Sequence, residues 1–111
     1  MRFPAETSIA AEKFTRYLLV PQLRSDKSRY LVRAGYTPAN VERLIEDLRS
    51  QILPLDATLS RSTPFGETYL IDGTLIGPSG ERIFVRTVWL RHALSGSVHF
   101  VTLIPKPQPT A

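Results

Sequence analysis

Ile83-Phe-Val-Arg-Thr-Val-Trp-Leu-Arg-His92 is the longest strand-like run in the chain, and the rest of the fold is read from it. Ile83, Phe84, Val85, Thr87, Val88 and Trp89 are β-branched or aromatic, the residue types that fit a pleated sheet. Alternation puts Phe84, Val88 and Leu90 on one face and Ile83, Val85 and Trp89 on the other. A strand apolar on both faces is a central strand. Arg86 falls in the middle of it. Such an arginine forms a structural ion pair, lays its stem along the sheet with its head in solvent, or serves a phosphate site. It shares its face with Phe84 and Val88, which makes that face the open one, with Ile83, Val85 and Trp89 under the helices.

Two further strands flank this one. Residues 68–76 alternate Tyr69, Ile71 and Leu75 against Leu70, Asp72 and Thr74, and Gly73 suggests a bulge. Gly77-Pro-Ser-Gly80 is a tight turn into the central strand. Leu94-Ser-Gly-Ser97 is a second turn, and residues 98–104 form a third strand ended by Pro105. Residues 54–66, with Pro54, Pro64 and Gly66, read as a connecting loop tacked down by Leu55 and Leu59.

Helical patterns precede the strands. One helix begins near Ser8, carries Ala10, Phe14, Tyr17 and Leu18 on a stripe, and ends at Pro21. Residues 25–34 form a short second helix, closed by Gly35, with Tyr30, Leu31 and Ala34 inward. Thr37 caps a third, with Pro38 at its first position. Val41, Leu44, Ile45, Leu48 and Ile52 form its buried stripe, and Glu42, Arg43, Glu46, Asp47 and Arg49 face outward. The expected fold is therefore α+β, with two or three N-terminal helices packed on one face of a C-terminal antiparallel β-meander. The 111 residues make one domain, 8–105, between a flexible N-terminus (1–7) and a flexible tail (106–111).

The net charge is +4, and eleven of the fourteen basic residues are arginines, whose planar fork suits phosphate. Residues 13–33 hold six bases against Asp26, and no acid follows Glu81. This balance favours a polyanion or an acidic protein as partner. The absence of cysteine excludes disulfides, thiolate zinc sites and cysteine catalysis, and fits a reducing cytoplasm. No stretch has the roughly 20 apolar residues of a membrane span. No Walker loop, dinucleotide fingerprint or metal box is present, so no cofactor or metal is expected. His92 and His99 lie on neighbouring strands, but two histidines without a third ligand are weak grounds for a metal. His99 is either a surface histidine or a general base.

Asp26-Lys-Ser-Arg-Tyr-Leu31, followed by Gly35, resembles the lysine-x-arginine helix of a family of small bacterial domains of unknown function. The hairpin Tyr69-Leu-Ile-Asp-Gly…Gly77-Pro-Ser-Gly80 and the strands Val85-Arg-Thr-Val-Trp-Leu90 and Phe100-Val-Thr-Leu103 are similar in the same order. The likeness spans most of residues 14–104. The layout resembles the barnase–EndoU–colicin–RelE class of metal-independent RNases. The resemblance implies an RNA-cleaving, toxin-type domain, with an acidic antitoxin or immunity protein as its partner. It assigns Lys27, Arg29, Arg86 and Thr102 to the site. Ser25 and Asp26 stand where a histidine is expected near the start of the second helix.

The residues themselves supply the parts such chemistry needs. A base takes the 2′-hydroxyl proton, a cation neutralises the crowded phosphate, and an acid helps the leaving oxygen. Lys27, Arg86, Thr102 and His99 are the catalytic candidates, and Arg29, Arg33 and Thr87 the substrate-binding ones. Each has a plainer role open to it: Lys27 as a snorkelling helix residue, Arg29 paired with Asp26 or Asp72, and Thr87 and Thr102 as ordinary strand residues. Trp89 reads as core before it reads as a stacking platform. A non-catalytic module binding protein or nucleic acid, such as an operon or phage accessory protein, is the alternative function.

Overall fold

The structure is a computed structural model that describes Phe3, Thr7, Ser8, Ile9 and residues 28–105, with Ser28 and Arg29 as backbone only. Its strands are β1 (Thr58–Thr63), β2 (Gly66–Ile76), β3 (Arg82–His92) and β4 (Val98–Pro105). They are hydrogen-bonded in chain order as one antiparallel sheet. β3 is internal, as its two apolar faces require.

This overturns the expected arrangement of two or three N-terminal helices on a three-stranded meander. Among the described residues there is one short helix, α1 (Ser28–Arg33), and one continuous helical run from Pro38 to Ile52. The first helix expected after Ser8 lies outside the described residues, apart from Ser8 and Ile9. Ser8 itself bridges in parallel to His99 on β4. Phe3, in the stretch expected to be loose, is buried and meets the Tyr69 ring edge-on at 5.4 Å.

The fourth strand comes from the stretch read as a loop. β1 is exposed at every position, so no apolar alternation marks it. What makes it a strand is backbone pairing to β2, closed by the two-residue turn Pro64–Phe65 between the Thr63–Gly66 pair.

The inner face of β3 holds Ile83, Val85, Thr87 and Trp89, all buried. Trp89 contacts Phe100 edge-on at 5.4 Å and lies 6.0 Å from Phe3, so it is core. Its indole N–H donates to Thr87 Oγ1 at 2.8 Å, and that hydroxyl donates to the Ile71 carbonyl at 2.9 Å. Gly73 does not form a bulge; it pairs in unbroken register with Val85. A Cβ there would lie 2.7 Å from Ile52 Cδ1 and 2.8 Å from Leu55 Cδ1, so glycine admits the end of the helical run onto the sheet.

That run begins with a 3-10 turn, Pro38–Asn40, continues as α2 (Val41–Asp47), and ends in a π-helical turn, Leu48–Ile52. At its start the Thr37 N–H donates to Asn40 Oδ1 at 2.8 Å, while Asn40 Nδ2 donates to the Gly35 carbonyl at 2.9 Å. The wide last turn, with Leu53 N–H bonding the Leu48 carbonyl at 2.8 Å, brings Leu53 round to the same face as Leu48 and Ile52. All three are buried. α1 ends in a Schellman motif: Gly35 (φ +95°) donates to Val32 and Tyr36 to Leu31. The β2–β3 turn docks there, with Ser79 N–H on the Ala34 carbonyl at 3.0 Å and Ser79 Oγ on the Arg33 carbonyl at 2.8 Å.

Side chains from the helical layer close the sheet edges where neighbouring strands stop. Gln51 bonds both the N–H and the carbonyl of Ile76. The Tyr30 hydroxyl does the same for Phe84. Asp47 departs from its expected outward position. It is buried, accepts from the Tyr36 hydroxyl at 2.6 Å, and takes Arg43 Nε at 3.0 and 3.1 Å. Burial first, and the Asp47 hydrogen bond second, hold the Tyr36 phenol far above the usual tyrosine range.

Candidate functional site

The face of the sheet turned away from α2 is set by register. Asp72, Arg86 and Ile104 form one row; Leu70, Val88 and Thr102 form the next; Thr68, Leu90 and His99 form the third. His92 follows at the strand end, opposite Gly66. Arg86 thus stands on the half-open face with Phe84 and Val88, as alternation along β3 requires. Thr102 is its diagonal neighbour on β4, a relation that spans about 7–8 Å.

His99 and Thr102 are three residues apart, and strict alternation would put them on opposite faces. A bulge resolves this. β4 gains one residue between the Val88–Thr102 and Trp89–Phe100 pairs. The extra residue lets Phe100 and Leu103 both enter the core while His99 and Thr102 both face out. Re-aiming a side chain in this way is what bulges commonly do beside sites.

Arg86 is held by Asp72 directly across the β2–β3 ladder. Nε donates to Oδ1 at 2.8 Å and Nη2 to Oδ2 at 3.0 Å, a two-point fork. These bonds raise the guanidinium pKa further. A guanidinium has five N–H groups; the remainder have no partner among the described residues. Both side chains stay accessible, at 38% and 42%. The pair therefore orients the arginine on the surface without removing it from an incoming anion.

The His92 and His99 rings meet at the far end of the face. Nε2 of His92 is 3.2 Å from Nδ1 of His99, with ring centroids 4.8 Å apart. The other candidates fall elsewhere. Thr87 is fully buried on the inner face with its hydroxyl committed to core bonds, which corrects its expected role in substrate binding. Arg33 is at the end of α1, paired with Glu81 at 3.2 Å, its guanidinium 5.6 Å from the Tyr30 ring centroid. Lys27 and the Arg29 side chain lie outside the described residues.

Sequence reading missed Asp72 as the partner of Arg86. The signal for Asp72 was the connection length. The link spans residues 77–81, one residue more than a tight Gly77–Gly80 turn, and only the longer link sets Asp72 opposite Arg86. No cluster of three or more metal-ligating side chains occurs among the described residues, and none of their helices is long and apolar enough to cross a membrane.

Residues 5–107 match the model of the family described as "Domain of unknown function (DUF6883)". The chain belongs to that family. Among curated proteins none matches it. A solved structure described as a contact-dependent growth inhibition toxin–immunity protein complex from Klebsiella pneumoniae 342 contains a chain of similar fold. The TM-score is 0.59 at 19% identity, over 90% of this chain and 100% of that one. At that identity the likeness is one of fold.

Proposed function

We propose that this domain is a metal-independent endoribonuclease of the toxin type, held in check by an acidic immunity or antitoxin protein. The observation that carries the reading is the bulge in β4, which gathers His99 and Thr102 on the face of Arg86. The similarity in fold to a chain of a toxin–immunity complex supports the toxin class and the kind of partner. The net charge of +4 suits both RNA and an acidic protein.

The chemistry is transesterification at a phosphodiester. The ribose 2′-oxygen attacks phosphorus, the bond from phosphorus to the 5′-oxygen breaks, and a 2′,3′-cyclic phosphate and a 5′-hydroxyl result. The paired imidazoles of His99 and His92 supply the base function. Arg86 neutralises charge on the non-bridging oxygens, and Thr102 donates a hydrogen bond to one of them. Lys27 gives the proton to the leaving 5′-oxygen. Arg29 and Arg33 hold flanking phosphates. Proton transfer and a positioned cation each contribute on the order of 10²-fold or more.

The test is cleavage of RNA in EDTA by the wild-type chain and by Arg86→Ala and His99→Ala. Cleavage by wild type, a loss of about 10²-fold in Arg86→Ala and a loss of about 10-fold in His99→Ala are expected. No cleavage by wild type, or equal cleavage by folded variants, sinks the reading.

One observation favours a second reading. Arg86 is already engaged by Asp72, and Phe84, Val88, Leu90 and Ile104 make much of the face apolar. A non-catalytic module that binds a protein on this face fits those facts. It predicts no cleavage under any condition.

A further inference from the structure

The two imidazoles are not equivalent in their surroundings. His92 is exposed at the end of β3, while His99 is half-buried on β4, at the end of its row. Gly66, directly opposite His92, has no side chain to crowd the ring on the β2 side. The backbone of His92 is fixed by the β3–β4 turn, its N–H on the Ser97 carbonyl at 2.9 Å and its carbonyl taking the Gly96 N–H at 2.8 Å. His99 sits where Ser8 bridges β4, next to Phe100, whose N–H bonds the Ser8 carbonyl at 2.9 Å. One ring therefore stands exposed on a fixed strand end, and the other is half-buried beside it on β4.

At 3.2 Å one of the facing nitrogens donates and the other accepts, because two lone pairs or two N–H groups would repel. We propose that His92 is the group that exchanges the proton with the substrate and that His99 positions it. This rests on the ribonuclease reading and deepens it. His92 carries its proton on Nε2 and donates it to the Nδ1 lone pair of His99. The Nδ1 lone pair of His92 then takes the proton from the 2′-hydroxyl as the 2′-oxygen bonds to phosphorus. The positive charge that forms on His92 is stabilised through Nε2–H by His99. Lys27 protonates the departing 5′-oxygen, and solvent afterwards removes the proton from His92 and restores the one on Lys27. A base held in one tautomer by a second group is the arrangement that nucleophile–base systems use generally.

The charged groups around the pair are few among the described residues. Arg61 on β1 lies in the row of Thr68, Leu90 and His99. Glu67 and Arg91 oppose each other on the inner side at the same end, and Arg86 is further along the open face. None of these stands between the rings.

Because the chain has two histidines, nitrogen-15 NMR of histidine-labelled protein reads both tautomers directly. His92 is expected as the Nε2–H tautomer in wild type. In His99→Ala it exchanges between tautomers, and in His99→Asn, whose side-chain oxygen can take the place of Nδ1, it is fixed again. In RNA cleavage, His92→Ala loses about 100-fold in kcat, His99→Ala about 10-fold, and His99→Asn less than His99→Ala. A larger loss for His99→Ala than for His92→Ala overturns the assignment, as does a His92 tautomer indifferent to residue 99. Wild type that cleaves nothing ends the ribonuclease reading, while the tautomer measurement still decides whether His99 positions His92.

Discussion

Two aspartate–arginine pairs with nearly the same geometry sit in opposite environments. Arg86 Nε meets Asp72 at 2.8 Å across two strands, and Arg43 Nε meets Asp47 at 3.0 Å one helical turn away. In the first, both side chains are accessible to water, at 38% and 42%; in the second, the carboxylate is at 8% and also holds a buried tyrosine. Distance does not distinguish them, but desolvation does. An exposed pair exchanges protein contacts for water contacts at little net gain. A buried carboxylate cannot lose a partner without leaving a polar group stranded. The Asp47 pair is accordingly part of the framework, and the Asp72 pair is a feature of the accessible surface.

Removing the buried carboxylate gives the largest effect. Asp47→Ala strands the Tyr36 hydroxyl and opens a gap under α2, and should destabilise the fold by about 2–4 kcal/mol. Urea denaturation followed by circular dichroism checks this, and an unchanged midpoint would mean that the pair is ornamental. Tyr36→Phe comes next. It leaves Asp47 its arginine and removes one buried hydrogen bond, at a cost of about 1–2 kcal/mol.

Tyr36 also gives this pair a pH signature. Its folded-state pKa is raised, so the unfolded chain releases the phenolic proton first. The contribution of Tyr36 is complete below the unfolded value of about 10, and stability is lost as pH rises through it. Midpoints measured from pH 8 to 12 should fall more steeply for wild type than for Tyr36→Phe.

Much of this architecture can be read from the chain. The apolar run on β3 placed an internal strand and its two faces, because Trp89 and Val85 need burial and Arg86 needs water. The stripe from Val41 to Ile52 located the long helical run, and Gly35 its predecessor's end. β1 was not legible, since an edge strand exposed on both faces carries no alternation to detect. Asp47 was misplaced because Tyr36, which draws the carboxylate inward, lies outside the helix. The sharing of a face by His99 and Thr102 depends on a one-residue bulge. A bulge of non-glycine residues leaves no mark in a sequence.

The exposed pair responds in the opposite sense to the buried one. Asp72→Ala should leave the denaturation midpoint where wild type has it, because the Arg86 head stays hydrated. Its effect should instead appear in RNA binding. Asp72→Asn removes a negative charge beside Arg86 and one of the two acceptors of its fork, so one more phosphate can be neutralised on that face. The slope of log K against log salt for single-stranded RNA should then steepen by about 0.7. Asp47→Asn, beneath the opposite face and committed to Tyr36, should leave that slope unchanged in whatever fraction stays folded. Fluorescence anisotropy of a labelled RNA between low and moderate salt measures both. Equal slopes for Asp72→Asn and wild type would show that Asp72 and Arg86 serve only each other, and the open face would then lose its claim on phosphate.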